Sequence, residues 1–177
     1  MFAKYLPGFA AALTLFASLT PVKAEAPQSW KEIETAARGQ TVYFHAWGGE
    51  PRINAYIDWA AEQLEERYGV TVKHVKVTDT AGTVTQIVAE KSAGKTEGGS
   101  VDLVWINGEN FNTLKKQNLL ASKGWAQALP NWTYVDVEGK PTVLSDFTVP
   151  TDGQESPWGM AKLVFYYDGA YVPKPPQ

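Results

Sequence analysis

An α/β domain with a mainly parallel sheet and flanking helices is predicted by three observations. Apolar, β-branched and aromatic runs occur at Thr41–Trp47, Val70–Val77 and Val101–Ile106. A segment of helical periodicity follows each run, and small polar turns join run to helix. Strand and helix alternating at this spacing imply right-handed crossovers and parallel pairing. The composition agrees with a globular chain: 177 residues, 44% hydrophobic and 20% charged. The absence of cysteine excludes thiol nucleophiles, Cys-ligated metals and disulfide frameworks. A net charge of −3 without a long basic run argues against a nucleic-acid-coating protein.

The chain opens with an address. Lys4, the apolar stretch Phe9 to Leu19 and Val22-Lys23-Ala24 have the three parts of a secretory signal cleaved after Ala24. The stretch is shorter than the roughly 20 residues of a membrane-spanning helix. Cleavage at 1–24 removes two lysines and no acid, so the mature chain is the more acidic one.

The elements of the mature chain follow in order. Ser29 is placed to cap a short helix from Trp30 to Ala37 that ends near Gly39. Thr41–Trp47 alternates little and reads as a strand covered on both faces. After Gly48-Gly49, Pro51 suits a first helical turn, and Ile53, Ile57, Ala60, Leu64 and Tyr68 form a helical stripe closed by Gly69. Lys73 and Lys76 place Val70–Val77 at a sheet edge, where lysine discourages further pairing. Asp79 to Thr83 reads as a polar turn into a helix bearing Val84, Ile87 and Val88. A polar loop, Gly94 to Gly99, leads to the buried strand Val101–Ile106, a turn at Asn107 to Asn110, and a helix from Phe111 to Leu120. Beyond Ala121 the sequence is rich in turns, until Ala161–Asp168 reads as a strand before a proline-rich tail.

Ligands of open parallel sheets bind at the loops that follow the strands' carboxyl ends. Those loops hold Trp47, Gly48, Gly49 and Glu50, then Asp79 to Thr83, then Asn107, Gly108, Glu109 and Asn110. Helix starts there offer free N–H groups to an anion, whereas Glu50, Asp79 and Glu109 suit a cation and Trp47 or Trp158 a stacking face. The same loops also read as ordinary turns, with glycines for geometry and Thr80 and Asn107 as helix caps. Enzyme signatures such as Gly-x-Ser-x-Gly, a Walker loop, Gly-x-Gly-x-x-Gly or His-Glu-x-x-His are absent from the sequence. His45 and His74 lie in strands and do not form a metal pair by spacing. Glu50 and Glu109 are a conceivable acid–base pair. Tyr166-Tyr167 matches neighbouring tyrosines that ligate ferric ion elsewhere, but strand alternation favours one in the core and one facing a crevice.

The export signal, the Thr-Val-Tyr-Phe-His-Ala-Trp-Gly-Gly strand and turn, Val-Asp-Leu-Val-Trp-Ile-Asn-Gly-Glu-Asn-Phe, and Pro-Trp-Gly-Met-Ala-Lys-Leu-Val-Phe-Tyr-Tyr-Asp together resemble the family 1 extracellular solute-binding proteins of ABC importers, more narrowly the YnjB-like group. The resemblance spans residues 25–172. It implies a type II periplasmic-binding-protein-like fold, in which two lobes close on a small solute and deliver it to a membrane permease from the periplasm. It implies a monomer when full length, with no cofactor, no nucleic acid and no enzymatic step. Its cleft residues carry over to Trp47, Gly48, Gly49, Glu50, Thr80, Asn107, Gly108, Glu109, Asn110 and Trp158, and Leu163 to Asp168 resembles the hinge strand. Residues 25–160 then form the N-terminal lobe, and 161–177 the hinge strand and the start of a second. The chain stops after that first crossover, so a truncated, incomplete receptor is expected, lacking the second lobe needed for closure. A small periplasmic enzyme using Glu50 and Glu109, or a periplasmic adaptor docking its exposed sheet edge, are the alternatives. The solute's charge stays open: acidic and aromatic residues lean toward a cationic or aromatic compound of thiamine or polyamine type, and helix starts toward an anion.

Overall fold

A computed structural model describes residues 29–159, 166–172 and 174. The expected signal peptide at 1–24 and residues 161–165 of the expected hinge strand lie outside the described residues.

Helix α1 (Trp30–Ala37) begins in a capping box. Ser29 Oγ accepts from the Glu32 N–H, and the Glu32 carboxylate accepts in return from the Ser29 N–H at 2.7 Å. Strands β1 (Thr41–Trp47), β2 (Thr71–Val77) and β3 (Leu103–Val104) form a parallel sheet in the order β2-β1-β3. Register runs from Thr41 opposite Thr71 to Trp47 opposite Val77, and Phe44 and His45 face Leu103 and Val104. Among the described residues the lysine-bearing β2 lies at the edge of the sheet, as its sequence predicts. Helix α2 (Pro51–Tyr68) buries Ile57 and keeps Glu62, Glu65, Glu66 and Arg67 exposed. Gly69 closes it in the left-handed conformation, at φ 65°.

Helices α3 (Thr80–Ser92) and α4 (Gly108–Lys116) complete the unit and pack on each other. Ala46, Ile57, Val84, Phe111, Leu114 and Ala126 are the buried apolar residues among those described. The strand-helix-strand order and the parallel pairing put the carboxyl ends of β1, β2 and β3 on one edge.

Several boundaries differ from the expectation. Strand β1 is covered on both faces only at its centre: the adjacent His45 and Ala46, which point to opposite faces, are buried, whereas Tyr43 and Trp47 are exposed. The Val101–Ile106 run contributes only two strand residues, and Leu103 is 45% exposed. The Asp102 N–H donates to Tyr43 O and the Trp105 N–H to His45 O, so bonding to β1 outlasts the regular strand at both ends. Helix α3 starts at Thr80, earlier than the polar turn suggested, because Asp79 rather than Thr80 caps it. Helix α4 covers Gly108–Lys116 rather than Phe111 to Leu120, and the Asn107 side chain makes no capping bond. At the other end, Tyr166 to Asp168 form no strand, and Tyr166 (94% exposed) and Tyr167 (47%) both lie outside the core.

From Ala121 the chain is irregular, as its prolines predict. Two 3₁₀ turns, Pro130–Tyr134 and Pro141–Leu144, precede the short antiparallel pair β4 (Ser145–Asp146) and β5 (Val149–Pro150). Lys115 of α4 ties this region down by donating to Pro150 O and pairing with Asp152 at 3.0 Å. Lys123 joins the same carboxylate at 2.9 Å, and the two ammonium groups hold Asp152 below its usual range.

Candidate functional site

The sheet's carboxyl edge assembles the loops singled out in the sequence. Trp47 ends β1, and Gly48 donates its N–H to Val77 O at 3.1 Å, which joins the β1 loop to the end of β2. Asn54 of α2 donates to Gly48 O at 2.9 Å, and its buried Oδ1 has no partner among the described residues. Thr80 on the first turn of α3 donates its hydroxyl to Trp105 O, which links the loops after β2 and β3. Asn107, Gly108, Glu109 and Asn110 follow at the start of α4, with Asn107 and Glu109 exposed.

The acidic residues at this edge divide by their bonds. Glu50 caps α2: its carboxylate accepts from the Ile53 N–H at 2.9 Å and from Arg52 Nε at 3.1 Å. The Ile53 N–H is the main reason that its carboxyl lies below the usual range. The Glu50 carboxylate is thus engaged in capping the first turn of α2. Asp79 likewise accepts from the Ala81 N–H at 2.8 Å. Both strand histidines are held by their neighbours. His45 Nε2 lies 3.2 Å from Ser100 O, and His74 Nε2 lies 3.2 Å from Ala46 O. Among the described residues, no group of three or more His, Cys, Asp or Glu is arranged to hold a metal ion.

Trp158 joins the edge from a distance in sequence. Its ring lies 5.0 Å from that of Trp105 and 5.4 Å from that of Tyr56, and Tyr56 in turn contacts Trp59. Trp158 remains 52% exposed, so the cluster presents open aromatic surface. The sequence singled out Trp158 but not Tyr56, Trp59 or Trp105. Their only local signal is that Tyr56 and Trp59 sit three apart on one helix, where side chains meet.

The β4–β5 tip is the part that the sequence missed. Asp146 accepts from the Gly108 N–H at 2.5 Å and so supplies the cap that Asn107 does not. Gly108 sits at φ 57°, and a Cβ there would lie 3.3 Å from the Phe147 ring, so glycine lets the hairpin tip approach. Between tip and helix lies an open cavity of about 490 Å³ lined by Asn107, Glu109, Asn110, Asp146 and Phe147, among others. Burial pushes the Asp146 carboxyl above its usual range, against the Gly108 hydrogen bond. Glu155 is pushed up to about 7 by burial first and then by the Asp146 charge.

The raised Glu155 carboxyl couples stability to pH. A carboxyl raised in the fold above its ordinary 4.5 binds more protons than in the unfolded chain between pH 4.5 and about 7. The stability that it contributes is full below pH 4.5 and is lost as the pH rises to about 7. Glu155→Gln is expected to remove this dependence. Melting temperatures of the two chains should therefore diverge across that window, the native chain losing ground as pH rises. A constant difference would contradict the burial of Glu155.

Comparison with known proteins adds the lineage. The sequence profile of the bacterial extracellular solute-binding proteins matches residues 59–177. Protein YnjB of Escherichia coli (strain K12) is 51% identical over 148 residues, which are 84% of this chain and 37% of that protein. The chain thus spans little more than a third of the length of this relative. No solved structure gives a significant match. The resemblance drawn from the strand-and-turn motifs agrees with both similarities.

Proposed function

Because this chain belongs to the bacterial extracellular solute-binding proteins, we propose that its sheet edge forms one wall of a small-solute site in the receptor component of an ABC importer. In this reading the protein works in the periplasm after removal of residues 1–24, captures its solute without chemical change and hands it to a membrane permease. Trp47, Gly48, Gly49, Glu50, Thr80, Asn107, Gly108, Glu109, Asn110 and Trp158 line or support that wall. The observation that carries the reading is the convergence of the loops after β1, β2 and β3 at one edge, joined by Gly48 N–H to Val77 O and by Thr80 Oγ1 to Trp105 O. Glu50 contributes by fixing the first turn of α2 rather than by proton transfer.

The test is recovery of the solute itself. Protein purified from periplasmic extract, then denatured, is expected to release a small molecule detectable by mass spectrometry. Trp158→Ala should release less of it at equal protein recovery. Release of nothing above a mock purification, or equal release from the variant and from a chain with Asn107→Ala as well, would contradict the assignment.

A further inference from the structure

At each of the three helix starts at the sheet edge, one N–H group is already taken by a carboxylate of the chain. Glu50 accepts from Ile53 of α2, Asp79 from Ala81 of α3 and Asp146 from Gly108 of α4. Each positive helix end is already met by a carboxylate of the chain, and an incoming anion would have to compete with it. The cavity beside α4 continues the pattern: Glu109 and Asp146 line it, and no lysine, arginine or histidine is among its described lining residues. Its apolar face is the Phe147 ring, 81% exposed although the residue holds φ 53°. That conformation is rare for a residue with a bulky side chain.

We propose that this cavity takes a small organic cation, with its charge facing Glu109 and Asp146 and its body against the Phe147 ring. The proposal rests on the reading of the sheet edge as a solute site and adds the charge of the solute and two determinants, Asp146 and Phe147. A cation over an aromatic face is attracted by the ring's quadrupole, and carboxylates beside it complete its coordination. Burial already disfavours the charged form of Asp146, and a cation bound next to it offsets that cost.

Two probes of one shape and opposite charge separate the possibilities. N-methylpyridinium and benzoate are titrated calorimetrically into the whole chain and into its Asp146→Asn and Phe147→Gly variants. N-methylpyridinium is expected to bind at least about tenfold more tightly than benzoate. Asp146→Asn keeps an oxygen for the Gly108 N–H and should weaken the cation about tenfold; Phe147→Gly should weaken it about threefold. Glycine accepts the positive φ, so Phe147→Gly should not lower the melting temperature, an outcome that a purely structural role for the ring would reverse. Equal or tighter binding of benzoate would overturn the charge assignment and leave the solute reading standing. So would failure of both probes with a chain that still releases a solute from periplasmic preparations. Failure of both with no released solute would overturn the solute reading as well.

Discussion

Replacement of Phe111 by alanine is expected to destabilise the chain by about 3–5 kcal/mol, the range for emptying a buried aromatic position. Phe111 is fully enclosed on α4, one turn before Leu114, which is buried almost as completely. These two side chains are the largest fully buried ones among the described residues and lie on the helix that packs on α3. Urea unfolding followed by tryptophan fluorescence should show the loss as a lower midpoint with little change in slope. The effect should reach the site, because the same helix carries Glu109 and Asn110 on its first turn. A loss below about 0.5 kcal/mol, the scale of an ordinary surface substitution, would mean that α4 is not seated on α3 as described.

Gly153→Ala is expected to be the second costly change, at about 2–4 kcal/mol from backbone strain and overpacking together. Gly153 lies at φ 66°, and a Cβ there would meet the Gln127 carboxamide and come within 2.7 Å of the Gly124 Cα. Gln127 is exposed and can swing away, but the Gly124 backbone cannot move freely. Its N–H donates to Asp152 O at 2.9 Å, and the Ala126 N–H donates to Gly153 O at 3.0 Å. The strip from Thr151 to Gly153 thus stitches the turn at Gly124 to α4, with Asp152 held by Lys115 and Lys123. Gly82→Ala is the matched control: Gly82 lies inside α3 with nothing near its missing Cβ, so alanine should stabilise by about 0.5–1 kcal/mol. Melting temperatures that moved in the same direction for both variants would contradict this account of the strip.

What could be read from the sequence was local. Helix α2 carries its start in Pro51 and its stop in Gly69, and both appear in the structure, whereas of its three-to-four stripe only Ile57 is buried and Leu64 is exposed. The edge position of β2 was legible in Lys73 and Lys76 because side-chain charge reports on solvent directly. Helix α4 departs from its sequence pattern. Gly108 reads as a turn residue, and its cap comes from Asp146, 38 residues away, a partner that leaves no trace in the neighbouring sequence. The same holds for the aromatic cluster, since contact of Trp158 with Trp105 and Tyr56 depends on how the chain returns to the sheet. Thr80 and Asn107 have the side chains of caps, but Asp79 and Asp146 reached the N–H groups instead. The contest between two capping side chains is decided by backbone geometry, which composition does not encode. The overlong expectation for β3 has a similar cause: an apolar run reports burial, whereas strand length depends on how far the partner strand keeps pace.

The capped helix ends also change the electrostatic reading of the edge. From sequence alone, three helix starts favour an anion and three acids favour a cation. The bonds at Ile53, Ala81 and Gly108 show that two of those acids, Glu50 and Asp79, together with Asp146, each take one N–H of a helix end, while Glu109 stays exposed beside the cavity.

The claim that the sheet's carboxyl edge binds solute is tested most directly by amide chemical shifts of the whole ¹⁵N-labelled chain during titration with the released solute. The account predicts shifts at Gly48, Gly49, Asn107, Gly108, Glu109, Asn110 and the Trp158 indole, with Gly39, Gln40, Gly69 and Val70 at the opposite ends of β1 and β2 unmoved. Shifts confined to that opposite edge would contradict it.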